Sequence, residues 1–556
     1  MVHRLFLFLA LLFLHVQVLA QGVVSAAEPR AAEAGREILR EGGSASDAAM
    51  AMMLALTVVE PQSSGFGGGG FLLHQDAGTG LLQTVDGRET APAAAMPDRF
   101  LTPEGKPMPF IEALAGGYSV GVPGNIRLMA LAHEKWGKLP WARLFEPAIR
   151  LAEEGFTVSP RLSESIRRLS GLWGAFPEIS ALYLDESGQP LRAGATLRNP
   201  ALARTLRVIA EKGPDSFYEG EIAQQVSDAV TQAPRNPVPL TLADLAAYEA
   251  KERSPICGRY RTFQVCGMGP PSSGGITVLQ ILGMLERFDL KAMGPRDPRS
   301  WHLIAEAMKL AYADREHWLG DADFVEVPIA GLIDPAYLRE RSLLISPDKP
   351  LGRYEHGTPP GAPARTTGHA QEVPGTTHFV AVDRAGNIAT MTSTVEGLFG
   401  SQLIAGGMVL NNELTDFSFV PERDGAPVAN RVQPGKRPLS SMSPTIVYDQ
   451  AGNPVLALGS AGGKRIIMHV AKTLIGYMDF GLPAAEAIAL PNIYFGGDST
   501  LVEQGSFLAG MTSELARLNG LVTTTALPSK VNAVERTPDG WRGAADPRGD
   551  GVALTE

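Results

Sequence analysis

Residues 376–395 read TTHFVAVDRAGNIATMTSTV. Apolar and polar positions alternate, Asp383 to Asn387 supplies turn residues, and alternation resumes at Ile388, which is the pattern of a β-hairpin. The preceding stretch, residues 345–374, is rich in Pro, Gly, His and Thr with almost no apolar periodicity, and reads as an exposed loop or linker. A Thr-Thr-His that opens a strand directly after such a loop is what a self-cleaving precursor would look like: cleavage of Gly375-Thr376 makes Thr376 a new N-terminus. A threonine hydroxyl is a poor nucleophile and needs a base within hydrogen-bond reach. A free α-amine on the same residue, with a pKa of about 8, supplies one. Taken alone, a threonine at the start of a strand is more often there for its β propensity, so the reading depends on the rest of the chain.

Upstream, residues 28–58 place small and apolar residues at helical spacing, with Gly42-Gly43 as a break and Ser44 as a cap, which predicts two packed helices. Gly65 to Gly70 then turns into the strand-like FLLHQ and LLQTVDG. From Asn125 to about residue 320 the signals are mostly helical, among them LADLAAYEAKE, ITVLQILGMLERF and HLIAEAMKLAYADREHW. Downstream, PTIVYD and PVLALGS flank a turn at Gln450 to Asn453, and the helical KRIIMHVAKTLIGYMDFG follows. Strands and helices in separate blocks predict stacked layers of helix, sheet, sheet and helix.

Two local matches mislead. Gly65-Phe66-Gly67-Gly68-Gly69-Gly70 satisfies G-x-G-x-x-G, but a helix precedes it and a strand follows, the reverse of a dinucleotide site. Gly117-Tyr118-Ser119-Val120-Gly121 satisfies the serine-hydrolase elbow G-x-S-x-G, yet Val122-Pro123-Gly124 breaks the helix that should follow. No metal motif is present and the ten histidines are scattered, so neither metal nor cofactor is expected. With 44% hydrophobic and 19% charged residues the chain is globular, and a formal charge of −10 without a basic block argues against nucleic acid as a partner. Met1 to Arg4 followed by the apolar Leu5 to Ala20 reads as an export signal ending near Ala20, too short and too interrupted by His15 and Gln17 for a membrane span. A secreted or periplasmic protein with no later membrane span is expected. Cys257 and Cys266 flank two short strand-like runs, and either a disulfide or two free thiols fits that spacing.

Several separated motifs carry a resemblance: GGSASDAAMA at 42–51, SGFGGGGF at 64–71, DGRETAP at 86–92, PPSSGGI at 270–276, TTHFVAVDRAGN at 376–387, FGSQ at 399–402, LNNELTDFS at 410–418, PGKRPLSSMSPTIV at 434–447 and GSAGGKRII at 459–467. In this order they resemble the γ-glutamyltransferase family of the N-terminal-nucleophile hydrolases. The resemblance implies an α+β, four-layer αββα fold, with two subunits from one autocleaved precursor. Residues 1–20 would be the signal, 21–375 a large, helix-rich subunit that shares the core sheet, and 376–556 a small catalytic subunit.

Residue by residue, the resemblance implies Thr376 as nucleophile and, through its amine, base; Thr394 as its hydrogen-bond partner; and Gly462 and Gly463 as an oxyanion hole. It implies Arg88 as the residue holding a donor carboxylate with help from Ser440 and Ser441, and Glu413 and Asp416 as ligands of a donor ammonium. Glu396 departs from the asparagine of the well-known transferases; it suits a γ-glutamyl donor or marks selection of another acyl group. FSFVPERDGAPVANRVQPGKRPL resembles a somewhat shortened cover over the site. The expected function is hydrolysis or transfer of γ-glutamyl groups from glutathione and related amides to water, an amino acid or a peptide. The alternatives are an acylase for cephalosporin, glutaryl or poly-γ-glutamate substrates, and an unprocessed binding paralogue.

Overall fold

Val23–Ala26 (β1) is followed by two helices, Pro29–Arg40 (α1) and Ala45–Val59 (α2), in the computed structural model, which describes residues 21–556. The expected export signal therefore lies outside the described residues. Every residue of α2 is buried, which explains its run of Ala, Met and Leu with no polar face. Ser44 caps it as expected, in a reciprocal capping box with Asp47. Gly35 of α1 lets the two helices approach closely, since a Cβ there would stand 2.7 Å from Met52 Cγ.

The expected hairpins are present: Gly69–Gln75 (β2) with Leu82–Asp86 (β3), Thr377–Val382 with Ile388–Thr394, and Thr445–Tyr448 with Pro454–Gly459. Between them the chain adds Lys251–Arg253 (β4), Ile256–Tyr260 (β5) and Phe263–Gly267 (β6). With Thr377–Val382 as β7, Ile388–Thr394 as β8, Thr445–Tyr448 as β9 and Pro454–Gly459 as β10, the last strands are Asn532–Thr537 (β11), Gly540–Ala545 (β12) and Val552–Thr555 (β13). One seven-stranded antiparallel sheet runs β13-β1-β7-β8-β2-β3-β4, and a six-stranded one runs β12-β11-β10-β9-β6-β5. The Leu242–Ala246 helix stops short of the expected LADLAAYEAKE, because Lys251–Arg253 leaves it to pair with β3 as an edge strand. Cys257 and Cys266 sit opposite each other across β5 and β6 and are bonded.

The two sheets pack face to face through Phe71, Leu73, Val380 and Val382 on one side and Ile446, Ala457 and Val534 on the other. Helices α1 and α2 cover the outer face of the first sheet. Gly274–Leu285, Pro298–Trp318 (hereafter the long helix) and Arg465–Met478 cover the second. This is the four-layer αββα fold. Residues 345–374 carry no regular structure, as expected, and no helix among the described residues is long and apolar enough to cross a membrane.

Asp47 ties the layers at one corner: one carboxylate oxygen accepts from the Ser44, Lys138 and Leu139 N–H groups at 2.9, 2.8 and 3.1 Å. Asp47→Ala strands three donors, the one on Ser44 buried and those on Lys138 and Leu139 part-buried, and is expected to cost about 2 kcal/mol, read as a lower denaturant midpoint with an unchanged slope.

Candidate active site

Gly375 and Thr376 lie where the irregular segment enters β7. A Cβ built on Gly375 would stand 1.7 Å from the Glu396 carbonyl, so only glycine allows this approach. Thr376 has φ 77°, a left-handed backbone that a β-branched residue rarely adopts and that costs about 1–3 kcal/mol. Its N–H donates to the Ser63 carbonyl at 2.9 Å, and its hydroxyl meets the Thr394 hydroxyl at 3.1 Å. Thr394 in turn accepts from the Glu396 N–H at 2.8 Å. Thr376 is buried, at 4% exposure. His378, two residues on, is bonded to Thr392 and Thr390, and burial pushes its pKa down to about 3, so it stays neutral.

The floor beneath this pair was not foreseen from the sequence. Glu60, the last residue before the turn that carries Ser63, accepts from the Thr377 hydroxyl at 2.6 Å and from Lys530 at 2.9 Å. Lys530 also reaches the Ser63 hydroxyl at 3.1 Å. Burial pushes Lys530 down to about 8 against the pull of Glu60, while Lys530 and Arg161 hold Glu60 below the carboxylate range despite its own burial.

Arg88 lies among acids. Its terminal nitrogens go to Glu413 and, at 2.6 Å, to Asp416, and it also donates to the Pro438 and Leu439 carbonyls at 3.1 and 3.0 Å. A ligand carboxylate at Arg88 would have to displace one of these acids. Glu89, also unforeseen, lies 3.9 Å from Arg88, fully buried. Among the described residues neither Glu89 oxygen has a hydrogen-bond partner, and one oxygen each of Glu413 and Asp416 is equally bare. Burial raises Glu89 to about 7, and Glu413 and Asp416 well above their ordinary values, with Arg88 opposing; burial and the nearby Asp416 raise Glu396 likewise, against the bonds it accepts from Val373 and Asn412. Glu89, Glu413 and Asp416 thus meet one arginine, and Glu396 stands beside Asp416.

Ser440 and Ser441 lie on the run into β9. The Ser441 hydroxyl accepts at 2.9 Å from Arg315, a fully buried residue of the long helix that no local motif marks. Gly462 and Gly463, at φ 130° and 59°, form the turn before the Arg465–Met478 helix, and a Cβ on Gly463 would stand 3.0 Å from the Val373 carbonyl. The supposed cover folds into a small exposed hairpin, Glu422–Arg423 with Ala426–Pro427, and Val428 bridges to Thr366 of the segment before the hairpin of β7. Ser119 is far from an elbow serine: its hydroxyl is buried in a 3-10 turn and donates to the Leu114 and Gly116 carbonyls at 2.6 and 3.1 Å.

A family model described as Gamma-glutamyltranspeptidase matches residues 31–555. The chain is 39% identical over 518 residues to the glutathione hydrolase proenzyme of Bacillus subtilis (strain 168), covering 91% of this chain and 85% of that one. It is 39% identical over 542 residues to the glutathione hydrolase proenzyme of Escherichia coli (strain K12), covering 95% and 90%. Among solved structures it resembles a cephalosporin acylase from Bacillus halodurans with a TM-score of 0.84, 28% identity and 96% coverage of both chains.

Lys530→Met leaves Glu60 charged and buried with its main partner gone, and is expected to destabilise the protein by about 3 kcal/mol. Adding Glu60→Leu should restore much of that loss in thermal melts, because the unpaired charge goes with it.

Proposed function

The chain belongs to the gamma-glutamyltranspeptidase family, and we propose that it is a self-processing enzyme that cleaves γ-glutamyl amides such as glutathione through an ester on Thr376. The observation that carries this reading is the buried Thr376 hydroxyl, 3.1 Å from Thr394, on a residue whose backbone is strained by the bond before it. In maturation the Thr376 hydroxyl oxygen adds to the Gly375 carbonyl carbon. The C–N bond breaks, the hydroxyl proton passes to the departing nitrogen, and an ester joins Gly375 to Thr376. Water then splits the ester into a Gly375 carboxylate and a regenerated hydroxyl. Breaking the bond abolishes the torsion φ at Thr376, so its strain is released in the step that creates the α-amine.

In turnover that amine takes the hydroxyl proton, the hydroxyl attacks the γ-carbonyl of the donor, and the backbone N–H groups of Gly462 and Gly463 at a helix N-terminus receive the oxyanion. Thr394 orients the hydroxyl. The leaving amine carries away the proton, and water or an amine acceptor resolves the ester. Residues 21–375 and 376–556 form the two subunits, and the apolar leader supports an extracytoplasmic location.

The acid cluster bears on substrate choice. Glu89, Glu396, Glu413 and Asp416 outnumber Arg88, which supports a substrate bearing an ammonium group beside its carboxylate. A glutaryl group has the same carbon chain and carboxylate without the ammonium. The likeness to a cephalosporin acylase favours glutaryl substrates as the second reading.

Intact mass should give two chains divided between Gly375 and Thr376, and one for Thr376→Ala; a single chain in both would sink the nucleophile assignment. Thr376→Ser should still divide. The wild type should hydrolyse a γ-glutamyl anilide at least about tenfold more efficiently than the glutaryl anilide, the ratio one charged hydrogen bond provides; the reverse preference would favour the acylase. Because protonation removes the negative charge that attracts the ammonium, the KM of the γ-glutamyl anilide should rise as pH falls below about 7, where Glu89 protonates, with little change for the glutaryl one.

A further inference from the structure

Cleavage before Thr376 would free a chain end in the interior of the protein, and a free end stays in place only where something ties it down. In the uncleaved chain Thr376 is held from both sides. Once the bond is cut its nitrogen keeps one partner, the Ser63 carbonyl at 2.9 Å. Four buried residues form a closed ring beneath this end. One Glu60 oxygen accepts from Lys530 at 2.9 Å, and Lys530 also donates to the Ser63 hydroxyl at 3.1 Å and lies 3.4 Å from the Thr377 hydroxyl. The other Glu60 oxygen accepts from the Thr377 hydroxyl at 2.6 Å, and the Glu60 carbonyl accepts from the Ser63 N–H at 2.9 Å. The pair thus grips both the residue that receives the amine and the residue that follows it. We propose that Glu60 and Lys530 are positioning residues, which hold the α-amine of the cleaved enzyme where it can take the proton of its own hydroxyl.

This deepens the proposed function and rests on its use of the amine as base. A neutral amine has two N–H groups and one lone pair. Aiming one N–H at a fixed carbonyl sets the rotation about the N–Cα bond, and with it the direction of the lone pair. If Ser63 or Thr377 shifts, the lone pair turns away from the hydroxyl, and a misplacement of about 1 Å is enough to slow a reaction about a hundredfold. Stability alone does not call for an ion pair here, since apolar side chains of similar size fill a buried space as well. What apolar groups lack is a donor and an acceptor that reach a hydroxyl on each side. Among the described residues no hydrogen bond links the ring to Arg88, Arg315 or the Glu396 carboxylate, so its influence falls on the reacting groups rather than on the hold on the substrate. Maturation depends on the ring less, because Gly375 still anchors Thr376 from the other side, where its own N–H donates to the Val373 carbonyl at 3.1 Å.

Substitutions that loosen the ring should therefore divide as the wild type does and then turn over slowly. Thr377→Val removes the hydroxyl and keeps the shape; in the divided protein it should lower kcat for a γ-glutamyl anilide about tenfold, with KM within about twofold of wild type. Thr377→Ser, which returns the hydroxyl, should recover most of that loss. The double variant Lys530→Met with Glu60→Leu separates positioning from stability: its melt should approach that of the wild type while kcat stays about tenfold low. A kcat that recovers together with the melt, or one that Thr377→Val leaves unchanged, means that the pair only supports the fold and overturns the proposal. Should the double variant not fold, the two Thr377 variants decide alone. Intact mass keeps this apart from the reading beneath it. One chain in the wild type removes the nucleophile assignment, whereas a divided wild type whose kcat these variants do not lower removes only the positioning role.

Discussion

The Ser63 carbonyl holds the site together. It accepts from the N–H of Thr376 at 2.9 Å and from that of Val395 at 3.2 Å, so one oxygen pins the start of β7 beside the end of β8. Thr376 and Thr394 face each other because of this, and the left-handed turn at Thr376 follows from the same demand, since the chain must reach Ser63 and yet enter the sheet. Ser63 is itself fixed from below by the Glu60 and Lys530 pair. The polar floor costs desolvation of two charges, which is tolerable only because each is bonded several times.

Charge organises the other half of the site. Three buried acids, Glu89, Glu413 and Asp416, surround Arg88, and burial raises all three, so the oxygens among them without a partner are the polar groups that the fold itself leaves unsatisfied. Arg315 stands apart from them in a second network with Ser273, Glu316, Glu372 and Ser441. Glu372 satisfies Arg315 and the Val373 N–H satisfies Glu396, so neither charged group is left bare in a low-dielectric interior.

Much of this was legible in the sequence. Alternation marked β7, β8, β9 and β10, the small-residue pattern marked α1 and α2, and Ser44 announced its own capping box. Thr376, Thr394, Glu396, Glu413, Asp416 and Arg88 do gather in one region. Strands of four residues at the ends, Val23–Ala26 and Val552–Thr555, left no readable period, because they are short and are fixed by pairing with β7 and with each other. The helical reading of LADLAAYEAKE overran because Lys251–Arg253 gains a partner strand that local propensity cannot see.

Periodicity, turn residues and caps act over neighbouring residues, so the sequence by itself determined the order of elements, the layered class, the threonine at the head of β7 and the family. Ion pairs join residues hundreds of positions apart, and their worth depends on how completely the fold excludes water. Only the tertiary structure therefore decided that Arg88 is spent on Glu413 and Asp416, that Glu89 joins them, that Lys530 underlies Ser63, and that Arg315 holds Glu372 beside Ser441.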